Sequence, residues 1–191
     1  MFRPVRSGTD ERSRRLPGDE LLPQTIGSFT HGITIRRPPH EVWPWLVQMG
    51  AGRAGWYSYD FIDNGGQPSA NCIVPELQHV EVRDLVPALR GVTEGFTVLR
   101  VEHERSRVFG WLRPHKRQPL ITWAYILSEP ELDVTRLIVR ARSGGGCHTP
   151  FGLPDWTIRT YTAWGHSLMQ QKQLLGIAQR AESGEMLEHR G

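Results

Sequence analysis

Tyr57, Tyr59 and Asp60 stand together in the run Trp56-Tyr57-Ser58-Tyr59-Asp60. Two phenols and a carboxylate at the mouth of an apolar pocket can orient or protonate a carbonyl-bearing ligand. The plainer alternative is that the aromatics pack a short helix while Asp60 caps it or forms a salt bridge. His79 and His103 carry imidazoles that titrate near neutrality and suit a general base. Neither has a partner at catalytic spacing, and a structural or exposed role accounts for them more simply. Arg140 and Arg142 offer forked donors to a ligand carboxylate or phosphate, although a solvent-facing alternation along a strand explains them more simply. Cys147-His148 follows Ser143-Gly144-Gly145-Gly146, and a thiol beside an imidazole invites a nucleophile or metal reading. No second ligand pair stands at metal spacing, so that stretch reads as a loop. The catalytic candidates are Tyr57, Tyr59, Asp60 and His79.

The chain holds no phosphate-cradling glycine loop, no serine nucleophile elbow and no paired histidines on a helix. No cofactor and no metal are expected. Seven Trp in 191 residues is a high count, and Trp and Tyr need partners for their polar atoms, which a half-wet pocket supplies. The residues expected to touch a ligand are Trp56, Tyr57, Tyr59, Trp123, Tyr125 and Arg140, with Trp164, Leu168 and Leu175 from the last helix. Ordinary core packing is the competing account of the apolar members.

The elements that must position these side chains follow from periodicity. Residues 25–36 carry Ile26, Phe29, Ile33 and Ile35 and stop at Pro38-Pro39, which predicts a strand. Val42, Trp45, Leu46 and Met49 share one helical face, with Gly50 as terminator. Pro44 is harmless only in a first helical turn, so the regular helix is expected to begin nearer Glu41 than Pro39. Trp56–Asn64 suits a second short helix between glycine brackets. Residues 67–95 read mostly as loop, with a short strand near His79–Val82. Strands are expected at Phe96–Glu104 and Arg107–Leu112, joined by a tight turn. At Ile121–Ser128 a bulky aromatic face of Ile121, Trp123, Tyr125 and Leu127 alternates with Thr122, Ala124, Ile126 and Ser128. Thr135–Ala141 is its hairpin neighbour. From about Thr160 to Glu182 an apolar stripe of Leu168, Leu175 and Ala178, flanked by Leu174, Ile177 and Ala181, predicts one long helix, on which Gln170, Gln171, Lys172 and Gln173 supply polar positions.

Strand, two short helices, antiparallel strands and a long helix make an α+β domain. The composition fits one globular unit. Residues 1–23, rich in Arg and broken by Pro4, Pro17 and Pro23, read as a disordered arm, 24–182 as the domain and 183–191 as a tail. Within the arm, residues 1–15 hold five Arg against Asp10 and Glu11, a balance of +3 that is the whole formal excess of the chain. The body therefore has no global field to steer a polyanion, and nucleic acid is not expected as a partner. No apolar run is long enough for a membrane span, and the N-terminus lacks the apolar segment of a secretory signal, so no stable membrane insertion and a cytoplasmic location are expected.

Several words of the sequence also resemble a known group. Pro38-Pro39-His40-Glu41-Val42-Trp43-Pro44-Trp45-Leu46-Val47-Gln48-Met49-Gly50, Arg53-Ala54-Gly55-Trp56-Tyr57-Ser58-Tyr59-Asp60, Ile73-Val74-Pro75-Glu76-Leu77-Gln78 and Thr122-Trp123-Ala124 are similar to bacterial members of the SRPBCC superfamily. These START-like, helix-grip proteins include polyketide cyclases and lipid-transport domains. The resemblance spans about residues 18–182, with His79–Asp84 standing where relatives usually carry Val-Gly-Asp. It implies a curved antiparallel sheet wrapped around the C-terminal helix, with a deep apolar cavity between them, and no single chemistry. On that scaffold the first expectation is binding of a small hydrophobic or amphipathic molecule, such as a lipid or polyketide. The alternatives are a cofactor-independent cyclase or dehydratase acting on a carbonyl compound, and an interaction module whose cavity is filled by side chains.

Overall fold

The computed structural model describes residues 4–112, 118–144 and 155–183, without the side chains of residues 155–164 and 166. Strands β1 (Gly27–Ile35), β2 (Leu85–Pro87), β3 (Gly95–Glu102), β4 (Ser106–Leu112), β5 (Pro119–Glu131) and β6 (Val134–Ser143) form one antiparallel sheet in the order β1-β6-β5-β4-β3-β2. Register shifts at Val98/Arg100, Trp111/Leu112 and Ser128/Glu131 interrupt three of its ladders, and such bulges bend strands and raise their twist. The sheet is curved, and helix α4 (Asp155–Ser183) lies in its concave face. Helices α2 (Pro39–Gln48) and α3 (Asp60–Asp63) sit between β1 and β2 in sequence. This is the α+β architecture that the order of elements implied, in the helix-grip form that the resemblance implied.

Alternation on β5 runs as expected. Trp123, Tyr125 and Leu127 face the helix layer together with Phe109 of β4 and Leu137 and Val139 of β6, while Ala124, Ile126, Val108 and Ile138 form a second cluster on the convex side. Against the concave face, α4 buries Gln170, Gln173, Leu174, Ile177, Ala178 and Ala181. Counted from Gln170, these positions fall at the i, i+3, i+4, i+7, i+8, i+11 spacing of one helical face. Leu168 and Leu175 fall to one side of it, 38% and 39% exposed.

Three expectations about elements are corrected. Helix α2 begins at Pro39 and keeps Pro44 inside it, because the burial of Val42, Trp43, Trp45, Leu46 and Val47 outweighs one missing backbone bond. The second helix shrinks to the single turn of α3. Trp56–Tyr59 precede it as irregular backbone, and Tyr57 has φ of 60°, a left-handed value that ends any helix there. His79–Val82 is not a strand, and the edge strand falls instead at β2.

Residues 4–23, expected as a disordered arm, pack on the convex face of the sheet. Leu16 and Leu22 are buried. Asp19 pairs with Arg140 at 2.7 Å and with Arg142 at 2.9 Å. Glu11, in the short helix α1 (Thr9–Ser13), holds Arg136 bidentately at 2.7 and 2.9 Å. Arg140 also donates to the carbonyls of Glu11, Arg12 and Arg14.

Candidate functional site

The site begins at a tight loop after α2. Gly50 and Gly55 exchange N–H···O bonds of 3.0 Å in both directions, and both have positive φ, 145° and 83°. A Cβ at Gly50 would strike Val86, and one at Gly55 would strike Ser69, so glycine is required at both points of the turn. This loop delivers Trp56 to the concave side, where it is 3% exposed and its indole N–H donates to the Ala88 carbonyl at 3.1 Å. Trp56 stacks on Trp123, with ring centroids 5.3 Å apart, and Phe96 leans on Trp123 at 5.4 Å.

Beside these rings lies a cavity of about 250 Å³. Its walls are Trp56, Phe96, Ile121 and Trp123 on the sheet and loop side, and Met169, Gln170 and Gln173 on α4. Leu89 is both a wall residue and 46% exposed, so the cavity opens toward solvent beside it. The two glutamines form a closed polar base. The Trp123 indole donates to Gln170 Oε1 at 2.8 Å, Gln170 Nε2 donates to Gln173 Oε1 at 2.8 Å, and the Tyr125 hydroxyl donates to the same oxygen at 2.8 Å. Burial pushes the Tyr125 hydroxyl well above its ordinary range despite its bond to Gln173. It therefore acts as a neutral donor to an amide, not as an acid.

The last wall residue with chemistry is Asp63, from the end of α3. It is 4% exposed, and neither carboxyl oxygen has a hydrogen-bond partner. Burial, reinforced by the negative charge of Asp60, pushes its carboxyl up to about 6. Among the described residues it is the one ionisable side chain on the cavity wall.

The expected site residues distribute unevenly around this cavity. Trp56 and Trp123 line it, and Tyr125 lies beneath its base through Gln173. Tyr57 does not line it. Its hydroxyl donates to the Trp45 carbonyl at 3.2 Å and accepts from Gln48 Nε2 at 3.0 Å, while the Arg180 guanidinium lies 4.9 Å over its ring. Burial drives its phenol far above the usual value. Asp60 accepts from the backbone N–H of Ser69 at 3.0 Å and from the Ser69 hydroxyl, bracing the following loop. Tyr59 is 43% exposed and off the wall. His79 is exposed, pairs with Glu81 at 3.1 Å and borders a separate surface groove that His103 also lines. Arg140 is buried on the convex face with its donors turned to the arm, so it can reach no ligand in the cavity. Leu168 and Leu175 flank the buried face of α4. The Trp164 side chain and the Cys147-His148 pair lie outside the described residues.

Sequence reasoning missed Asp63, Gln170 and Gln173. The glutamines stood among polar positions on a helix, and the one available signal was their spacing: 170 and 173 continue backward the row of Leu174, Ile177, Ala178 and Ala181.

No family model and no curated protein matches the chain. Among solved structures, it is similar to a protein from Mesorhizobium loti at 16% identity and a TM-score of 0.47, over 82% of this chain and 97% of that one. A polyketide-cyclase-like protein from Corynebacterium glutamicum aligns at 16% identity and a TM-score of 0.42, over 88% and 98%. The Zhui aromatase/cyclase from Streptomyces sp. R1128 aligns at 15% identity and a TM-score of 0.47, over 82% and 94%. No described helix is long and apolar enough to cross a membrane.

Proposed function

We propose that the protein binds a small, largely apolar molecule in the cavity between α4 and the sheet. The observation that carries this reading is the cavity itself: about 250 Å³ walled by Trp56, Phe96, Ile121, Trp123 and Met169, with the few polar atoms of its base already bonded to one another. An apolar cavity of about 150 Å³ accepts benzene, so this one has room for about two fused rings. Apolar burial at about 25 cal/mol per Å² supplies the affinity. The flat indoles favour a planar or cyclic guest over a flexible acyl chain.

The reading of the chain as a cyclase or dehydratase rested on Tyr57, Tyr59, Asp60 or a histidine transferring a proton. Those side chains are engaged in packing or lie away from the cavity, so they lend it no support. The open volume argues against an interaction module with a filled interior. Native mass spectrometry of the purified protein, followed by organic extraction, tests the proposal. The expected result is a bound small molecule, or uptake of one from a panel of lipids and aromatic polyketides. An empty protein that takes up nothing from the panel overturns it.

A further inference from the structure

Most buried polar groups of the described chain are answered by a partner. Asp60 takes two donors from Ser69, Asp19 takes two guanidiniums, and Gln48 is bonded through both ends of its amide. Asp63 is different. Its side chain is as buried as those of Asp19 and Gln48 and more buried than that of Asp60, both carboxyl oxygens are without a hydrogen-bond partner, and it lies on the wall of the cavity that Trp56 and Trp123 also line. A buried carboxylate with no hydrogen-bond partner beyond the weak pull of its own backbone N–H is expensive, because it has given up water and received little in exchange.

The neighbours do not relieve it. Asp60, one turn earlier, adds negative charge. Arg180, whose ionisable neighbours include Tyr57 and Asp60, is turned to the carbonyls of Ala70 and Gly176 and to the Tyr57 ring. The other polar wall groups offer little: Gln170 and Gln173 are bonded to each other, and the Ser58 hydroxyl donates to the Met169 carbonyl at 3.0 Å. The cavity therefore presents aromatic surface, a closed amide base and a single unanswered negative group.

We propose that the cavity takes a cationic nitrogen compound, an ammonium whose N–H groups are received by Asp63 while its ring system lies against Trp56 and Trp123. This rests on the cavity being a ligand site and names the class of its ligand. Each part of such a molecule finds its complement. The hydrocarbon frame meets indole and phenyl rings, and the positive centre meets both a carboxylate and the negative faces of aromatic rings. A neutral guest of the same shape leaves Asp63 unanswered, and an anionic guest adds a second negative charge beside it. Selectivity for charge thus comes from one residue, and selectivity for shape from the rings.

Three probes with one ring system separate the two claims: 2-naphthylmethylamine, 2-naphthylmethanol and 2-naphthoate, titrated by calorimetry at neutral pH into the full-length protein and its Asp63→Asn variant. The native protein is expected to bind the amine at least about tenfold more tightly than the alcohol, with the carboxylate weakest. In Asp63→Asn the amine and the alcohol are expected to converge to within about twofold, with binding of the alcohol retained. Equal or tighter binding of the alcohol by the native protein overturns the ligand class and leaves the cavity reading standing. Failure of all three probes overturns both. Should Asp63→Asn not fold, the order of the three affinities on the native protein decides the matter by itself.

Discussion

Asp60 and Asp63 sit on one helical turn and have opposite fates. Asp60 accepts hydrogen bonds from the Ser69 amide and hydroxyl, whereas neither carboxyl oxygen of Asp63 has such a partner and burial pushes its carboxyl up to about 6. A carboxyl whose folded value lies above its ordinary 3.8 binds its proton more tightly in the folded chain, so its favourable contribution is present at low pH and is lost as pH rises through about 6. Asp63→Asn removes that loss. Relative to the native protein, the variant is expected to gain on the order of 2 kcal/mol above that window and little below it. Denaturation with urea across the pH range measures the difference, and parallel curves for the two proteins would contradict it. Tyr57 gives the complementary case. Tyr57→Phe removes the bonds to Trp45 and Gln48, at a cost of about 1–2 kcal/mol, and is expected to leave binding of a naphthyl probe unchanged. None of this contrast was legible in sequence. Tyr57, Tyr59 and Asp60 drew attention by chemical type, while Asp63, next to Asn64 and two glycines, had the look of a solvated turn.

At the scale of elements, the most legible part was β5, because an antiparallel strand in a two-sided sheet must alternate and Ile121 to Leu127 do so without exception. The long helix was legible as a helix but not in its rotation. The two leucines at 168 and 175 outweighed Gln170 and Gln173 in a purely hydrophobic count, yet the cavity turns amides inward, where Trp123 and Tyr125 need acceptors. Gly176 fixes that rotation. It lies against the backbone of Tyr57, and a Cβ there would run into the Tyr57 carbonyl. Gly176→Ala is therefore expected to destabilise by about 1–3 kcal/mol, although the same exchange on an exposed helix face stabilises by about 1 kcal/mol. A rise in thermal midpoint for this variant would show that α4 does not approach the loop so closely.

The whole molecule is a sheet covered on both faces: by α2 and α4 on the concave side, by residues 4–23 on the convex side. That second cover is knit by ion pairs between groups more than a hundred residues apart in sequence, which is why periodicity within the arm gave no hint of it. Burial works against ionised Asp19, but the Leu16 amide and the guanidiniums of Arg142 and Arg140 outweigh it and hold its carboxyl below the ordinary value. Its contribution to stability is thus present above that ordinary value and is lost as pH falls through the lower folded one. Asp19→Ala leaves Arg140, 4% exposed, without its carboxylate and is expected to cost about 3 kcal/mol and to open residues 4–23 to proteolysis. Unchanged protection of that segment would contradict the clasp.

The cavity beneath α4 is where the two layers meet, and whether it admits a guest can be read directly from the indole N–H resonances of Trp56 and Trp123 in ¹⁵N-labelled protein titrated with naphthalene. Both resonances are expected to shift in step with a single saturable curve, while the indoles away from the cavity stay in place. Two resonances that remain fixed up to the solubility limit of the hydrocarbon would contradict the account.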